Sequence, residues 1–446
     1  MLNLQRVAFY LSALLILFAP LYYAGKTAAG ELIIECIGLA LLFCVLWGGL
    51  YAKKLFGFAW FYLFASLALA LMYLLPVPFD FWQSLPGRGL YAESFLWLKA
   101  QGVEMAFFQL SIVPSQTILS LLMLIPGLAI FISAVSLPDQ FVKQLVYIFL
   151  TMAALQGVLG LIQYASNDLF FVFGMEYHGR MAQGMYVNRD HFAALMEMAL
   201  PIALGMLLYN IGRHASDRYR GGSGLPVNQL LLFSFAALIV FLGAIFSRSR
   251  AGVFLVLLMV LLSSIVFSRH IGGKKSVGWT SVFMVISGGV AVSVGLIPVL
   301  NRFIETDPSE DGRWPIFKTT VSIIREFSPL GSGPGTYDEA YRAFQPAEQV
   351  FYVNHAHNDY LELLVEMGAA GGFIILGFFV LYLYGWYKMR RYVWNRMRFL
   401  QVASGLGVLA ILIHSLVDFN LHTPANLVVF AMLSGVFLRK NRRFHR

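Results

Sequence analysis

Long unbroken apolar stretches alternate with short polar breaks along this chain, and nowhere does polarity alternate residue by residue over a strand's length. A helix that crosses a bilayer needs about 20 mostly apolar residues. Twelve runs meet that need, near 7–25, 31–52, 55–75, 115–136, 141–163, 190–210, 228–247, 251–268, 278–299, 368–387, 399–416 and 423–438. Continuous apolarity predicts helices rather than outer-membrane strands. A lone Arg6 and no small-residue cleavage site predict that the first run is retained. The expected fold is therefore all-α and integral to the membrane, a single polytopic domain over 1–446 with about twelve spans. Two loops on one side are long, roughly 76–114 and 300–367. The second, between helices nine and ten, has helical patches such as Trp314 to Ile324 and is expected to form a small folded cap.

Composition sharpens this picture. Of 446 residues 59% are hydrophobic and 12% charged, against about 25% charged in a soluble domain. Thirty-nine Phe, 21 Tyr and 8 Trp exclude a solvated coil. Cys36 and Cys44 share one apolar run and imply no disulfide framework. Orientation follows from the basic residues. With the N terminus inside, 20 of the 32 Lys and Arg fall on the cytoplasmic side, as do both termini. Asp139 and Asp217 are the only acidic residues placed there. The net charge of +9 is then explained by orientation and anionic membrane lipids, with no nucleic-acid partner.

The polar groups that topology does not require crowd at the outer face, in four clusters: Asn188-Arg189-Asp190-His191, Ser247-Arg248-Ser249-Arg250, Asp311-Gly312-Arg313-Trp314, and Asn354-His355-Ala356-His357-Asn358-Asp359. Ionisable groups at membrane depth are costly and point to function. In the last cluster, Asp359 followed by Glu362 has the pattern of a helix N-cap with its capping box. His357 would then stand near the positive end of a helix dipole, which favours the neutral imidazole that a general base needs. The plain alternative is a pair of polar loop histidines. A metal held by His355, His357 and Asp359 is a third reading, with three ligands strained into five residues and no second cluster to complete them. Arg248, Arg250, Arg313 and Arg189 run against the inside bias, and their guanidinium forks match phosphate oxygens, so they predict an extracytoplasmic anion site. Singly, each is better explained by contact with lipid headgroups. Gly331-Ser332-Gly333-Pro334-Gly335 fits a plain turn better than a phosphate loop, and Gly368-Ala369-Ala370-Gly371-Gly372 a close helix-packing face.

His357-Asn358, nine residues, then Gly368-x-x-Gly371 resembles the His-Asn-x9-Gly-x-x-Gly signature of the bacterial O-antigen ligase family. Gly312 to Phe317, with Ser328 to Gly333, is similar to that family's large periplasmic loop. Ser249-Arg250-Ala251 resembles its Ser-Arg-Gly element, and Asn188 to Ala193 a further one; the likeness spans roughly 185–375. One departure is Arg313-x-x-x-Phe317, where the family has Arg-x-x-x-Leu. The resemblance implies a multi-spanning (GT-C-like) glycosyltransferase of the bacterial inner membrane, active on the periplasmic face in lipopolysaccharide biosynthesis. Its donor would be a glycan on undecaprenyl diphosphate, and its acceptor a sugar hydroxyl of lipid A core. By the same resemblance His357 is the base, with inversion at the sugar. Arg250 and Arg313, helped by Arg248, Arg189, His355 and Asn358, hold the substrate, and no metal or cofactor takes part. A polymerase of O-antigen or exopolysaccharide, which uses a second lipid-linked glycan as acceptor, is the related alternative. A transporter of lipid-linked glycan is the alternative from another class; transporters carry paired repeats and midplane polar sites that this sequence lacks.

Overall fold

A computed structural model describes residues 2–49, 55, 57–103, 108–166, 170–172, 175–177, 180–219, 227–268, 313–390 and 394–440. Their helices, in chain order, are α1 (Leu2–Phe18), α2 (Ala28–Trp47), α3 (Gly57–Leu71), α4 (Phe79–Gln83), α5 (Gly89–Ala100), α6 (Pro114–Ser136), α7 (Asp139–Ala165) and α8 (Arg189–Tyr219). There follow α9 (Val227–Phe246), α10 (Arg250–Ser268), α11 (Arg313–Phe327), α12 (Tyr337–Phe344), α13 (Asp359–Met389), α14 (Arg396–His414) and α15 (Pro424–Leu438). Two short antiparallel ribbons, β1 (Pro76–Val77) with β2 (Phe108–Gln109) and β3 (Phe170–Val172) with β4 (Met175–Tyr177), complete the described elements. Among the described residues, nine helices are long and apolar enough to cross a membrane, and two shorter apolar helices lie in α1 and α15. The protein is an all-α, multi-pass membrane protein. The expected run at 278–299 and the segment with Asp311 and Gly312 lie outside the described residues.

The bundle is organised around α8 and α14. In the spans of these two helices 89% of residues are buried, against 28% in α2 and α13. They pack on each other and share α10 as a neighbour, while α8 also takes α9 and α14 takes α15. Close approach is possible because Gly407 of α14 lies against the Met198 backbone of α8, with a Cβ-to-oxygen distance of 2.8 Å were a side chain present. Deep in this contact, Glu197 of α8 lies 3.0 Å from His414 Nδ1, both side chains at most 1% exposed. His414 is the last residue of α14, and the turn that follows it supplies much of the site.

At the same end of the bundle the two long loops fold together as one cap. Trp82, Phe108 and Ile112 of the first share a core with Ile316, Ile323, Phe327, Tyr337 and Tyr341 of the second. Arg88, 1% exposed, bolts the loops together by donating to Gly331 O (2.9 Å) and Leu110 O (2.6 Å). The stretch Trp314 to Ile324 lies within α11.

The glycines of the Gly368 segment do something other than helix packing. Gly368 has φ +50° and ψ −127°, a conformation that breaks α13. The freed carbonyls of Val365 and Glu366 accept hydrogen bonds from Ser332 N (2.9 Å) and Gly333 N (2.8 Å), and Ala369 N donates to Pro329 O (2.8 Å). The glycine-rich turn at 331–335 thus docks on a broken helix. Its amides bond protein carbonyls, which leaves them no role with phosphate.

Removing one partner of a buried pair leaves a bare charge, at a cost of about 3–5 kcal/mol, whereas an apolar replacement of both is close to neutral. His414→Ala is therefore expected to lower the unfolding midpoint of the detergent-solubilised protein far more than the double change Glu197→Leu/His414→Leu. Equal losses in the two variants would show that packing, not charge, sets the α8–α14 contact.

Candidate active site

Three helices that begin at the capped end, α8, α10 and α13, owe their starts to local capping chemistry. Asn188 Oδ1 accepts from Asp190 N (2.8 Å) at the start of α8. Ser249 Oγ accepts from Gly252 N (3.0 Å) at the start of α10. Asn358 Oδ1 accepts from Tyr360 N and Leu361 N (3.0 Å each) at the start of α13. In each case the cap sits just before a charged residue, Arg189, Arg250 or Asp359, so the charge falls in the first helical turn. The first turns of α8 and α10 touch, since an added Cβ at Gly252 would lie 2.6 Å from Ala193 Cβ. The helix starts collect backbone N–H groups that favour anions.

The cap of α13 is therefore Asn358, one residue earlier than the sequence pattern indicates. Its Nδ2 also donates to Leu416 O (2.8 Å), so the amide is fully engaged in holding two segments together. Asp359 is freed from capping and is nearly buried. It accepts from Ser415 Oγ (2.5 Å) and Leu421 N (3.3 Å) and lies 3.0 Å from His422 Nδ1. Glu362, in turn, reaches back to accept from Ala356 N (2.8 Å) and lies 2.7 Å from His355 Nδ1.

His357 occupies a left-handed backbone position, φ +50°, and keeps 28% of its side chain exposed. Its Nδ1 lies 3.3 Å from Oδ1 of Asp418, a fully buried carboxylate in the turn after α14. The same Oδ1 lies 3.8 Å from His191 Nε2, while His191 Nδ1 pairs with Thr423 Oγ1 (2.8 Å). Burial alone would raise the Asp418 pKa, but the nearby imidazoles of His191 and His357 hold it well below the usual carboxylate range. An ionised carboxylate at Nδ1 selects the tautomer that leaves the lone pair on Nε2. The His357–Asp418 pair thus has a geometry that permits proton abstraction at Nε2.

The other expected residues divide. Arg313 comes to this place: its Nη1 donates to Val417 O (2.7 Å) and its Nη2 lies 3.4 Å from Asp190 Oδ2, next to Arg189. Arg250 is half-buried at the first turn of α10. Arg248, at φ +58°, lays its guanidinium 5.9 Å from the ring of Tyr164 at the far end of α7. His355 stacks on Phe419 at 4.1 Å, and burial pushes its pKa down against the pull of Glu362.

Four contributors were not singled out from sequence, Lys26, Asp418, Phe419 and His422, and His191 entered only as a member of its polar cluster. Phe419 is the hub, with His191, His355 and His357 around its ring and the Lys26 ammonium 4.8 Å from its centroid. Lys26 follows Tyr22, Tyr23 and Ala24, all at positive φ, which bend the chain after α1 toward the site. The available signal was the segment from His414 to His422, where two histidines and an aspartate interrupt two apolar runs.

A cavity of about 190 Å³ is lined by His355, Glu362, His422, Asn354, Asp338 and Glu366 among others. Of the three residues weighed from sequence as a third, metal-binding reading, His357 and Asp359 turn to other partners. His355, Glu362 and His422 instead bring ligand-type atoms within 4.8 Å of one another.

The fold and this site define a multi-pass helical membrane protein with a histidine–aspartate pair beside arginines and helix N termini. Residues 235–376 match the family described as O-antigen ligase, and the match supports assignment of the chain to that family. The matched stretch holds Arg248, Arg250, Arg313, His355, His357 and Asn358, but ends before Asp418 and His422. No curated protein matches the chain.

Enclosure opposes the charge on His422, but the carboxylates of Glu362 and Asp359 outweigh it and raise its pKa from 6.5 to about 10. A raised folded-state value means stability that is complete below pH 6.5 and lost as pH rises through about 10. In metal-free buffer the thermal midpoint should accordingly fall over that window in the wild type and fall less in His422→Gln. Identical pH profiles would remove His422 from the network.

Proposed function

We propose that the protein is a glycosyltransferase that moves a glycan from undecaprenyl diphosphate to a sugar hydroxyl of lipid A core. It works at the periplasmic face of the bacterial inner membrane, with both termini cytoplasmic. The observation that carries this reading is the His357–Asp418 pair beside Arg313, in a chain whose residues 235–376 match the O-antigen ligase family.

In the step, Nε2 of His357 takes the proton of the acceptor hydroxyl while that oxygen attacks the anomeric carbon of the donor sugar. The new glycosidic bond forms as the bond from that carbon to the diphosphate oxygen breaks, which inverts the carbon. The diphosphate leaves with the bonding electron pair. Arg250 and Arg313, with Arg189 and Arg248, meet the charge that grows on it, as do the first turns of α8 and α10. Asp418 stabilises the imidazolium that forms. No bond in this sequence is made through a metal ion. His355 lies beyond Phe419 from the base, a place suited to the acceptor sugar, and Asn358 acts by fixing the backbone next to His357.

A positioned base contributes about 10²–10⁴-fold. His357→Ala is expected to lose transfer by at least that much while inserting and folding normally. The assay offers purified protein undecaprenyl-diphosphate glycan with lipid A core or, separately, with a second lipid-linked repeat. Transfer to lipid A core supports the ligase, and elongation of the lipid-linked glycan would make the enzyme a polymerase. Undiminished transfer by His357→Ala would sink the assignment of the base.

Asp418→Asn keeps the size of the side chain but removes the charge that sets the tautomer. It should reduce kcat by about 10²-fold or more with little change in KM. A change confined to KM would instead make Asp418 a binding group.

A further inference from the structure

We propose that His355, Glu362 and His422 form a binding site for one divalent cation of the zinc class. The site is separate from the base His357 and does not depend on the transfer reaction.

The ligand atoms converge from two distant parts of the chain. His355 Nδ1 lies 2.7 Å and His422 Nε2 3.2 Å from the same Glu362 Oε1. All three atoms fall within 4.8 Å of one another. Around an ion with bonds of about 2.0–2.2 Å, neighbouring ligand atoms stand roughly 3–3.6 Å apart. Small outward movements of the imidazoles would therefore admit the ion. Two imidazoles and a carboxylate form a donor set that suits zinc and its neighbours rather than calcium or magnesium.

Each ligand is also oriented from behind, as metal ligands are. Asp359 Oδ1 lies 3.0 Å from His422 Nδ1 and so aims Nε2 at Glu362. Asp359 is itself held by Ser415 Oγ (2.5 Å) and Leu421 N (3.3 Å). Glu362 Oε2 accepts from Ala356 N (2.8 Å), which leaves Oε1 toward the histidines. His355 cannot swing freely, because its ring is stacked on Phe419 with an interplanar angle of 19°. The cavity of about 190 Å³ opens onto all three ligands. It provides an entry path and room for water at a fourth position, with Asn354 and Glu366 on its wall.

His357 stands outside the set because its Nδ1 is turned to Asp418. The ion would join the first turn of α13 to the turn after α14, and so hold Asp418 against His357 without touching the reacting atoms.

The test uses the full chain in detergent, stripped with a chelator and then reloaded with Zn2+ alone. About one zinc per chain is expected after desalting. His355→Ala and His422→Ala should each lose it, and His357→Ala should keep it. A wild type that retains no zinc overturns the site, as does a wild-type level in both ligand variants. Cobalt substitution of the wild type, which needs no variant to fold, should give the intense visible absorption of a low-coordinate nitrogen–oxygen site; the weak spectrum of hydrated cobalt overturns it. Zinc bound without glycan transfer would count against the proposed function alone, and transfer by a protein that takes up no zinc on reloading against this site alone.

Discussion

The site depends on one piece of docking, that of the turn after α14 onto the first turn of α13. Asp359 N donates to Ser415 O and Asn358 Nδ2 to Leu416 O, while the Asp359 carboxylate gathers Ser415, Leu421 and His422. These bonds join residues about sixty positions apart in the chain. Polar groups this close to the bilayer are costly unless partnered, and here they satisfy one another. Because the docking is made by backbone as well as side chains, it sets distances rather than merely proximity. Asp418 reaches His357 only through it.

The bundle beneath supplies the fixed ends that such docking needs. The most buried helices, α8 and α14, deliver His191 and the 415–423 turn to the same place, and the Glu197–His414 pair registers one helix against the other just below. From the opposite side, the cap presents Arg313, whose guanidinium grips the Val417 carbonyl in the same turn. Fold and site are thus coupled through short polar contacts, with the apolar bulk providing only the frame.

What could be read from sequence follows from the range of the forces involved. Apolar runs announce themselves residue by residue, and eleven of the twelve expected runs coincide with described helices. The local motifs at Arg189, Arg250 and His357 were visible because caps and charges lie within a few residues. Asp418 and His422 were hidden by their setting. They occupy a gap of six residues between two apolar runs, and only tertiary packing shows that this gap faces His357. The cap of α13 was misplaced by one residue, since Asp359 and Asn358 are equally good caps in isolation and the pull of Ser415 and His422 decides between them. Gly368 likewise read as a packing surface because its positive φ is set by the turn that docks there.

The matched stretch 235–376 ends inside α13, well short of Asp418, the carboxylate that faces His357. Inheritance of the His357–Asp418 pair is therefore not co-extensive with the recognisable segment. In a recombinant between two such proteins, a crossover after Gly371 would pair one parent's histidine with the other parent's aspartate. It would also set Asn358 against a foreign Leu416 carbonyl. The block that travels intact runs from the start of α8 to the start of α15, and chimeras joined outside it inherit His191, His357 and Asp418 from one parent.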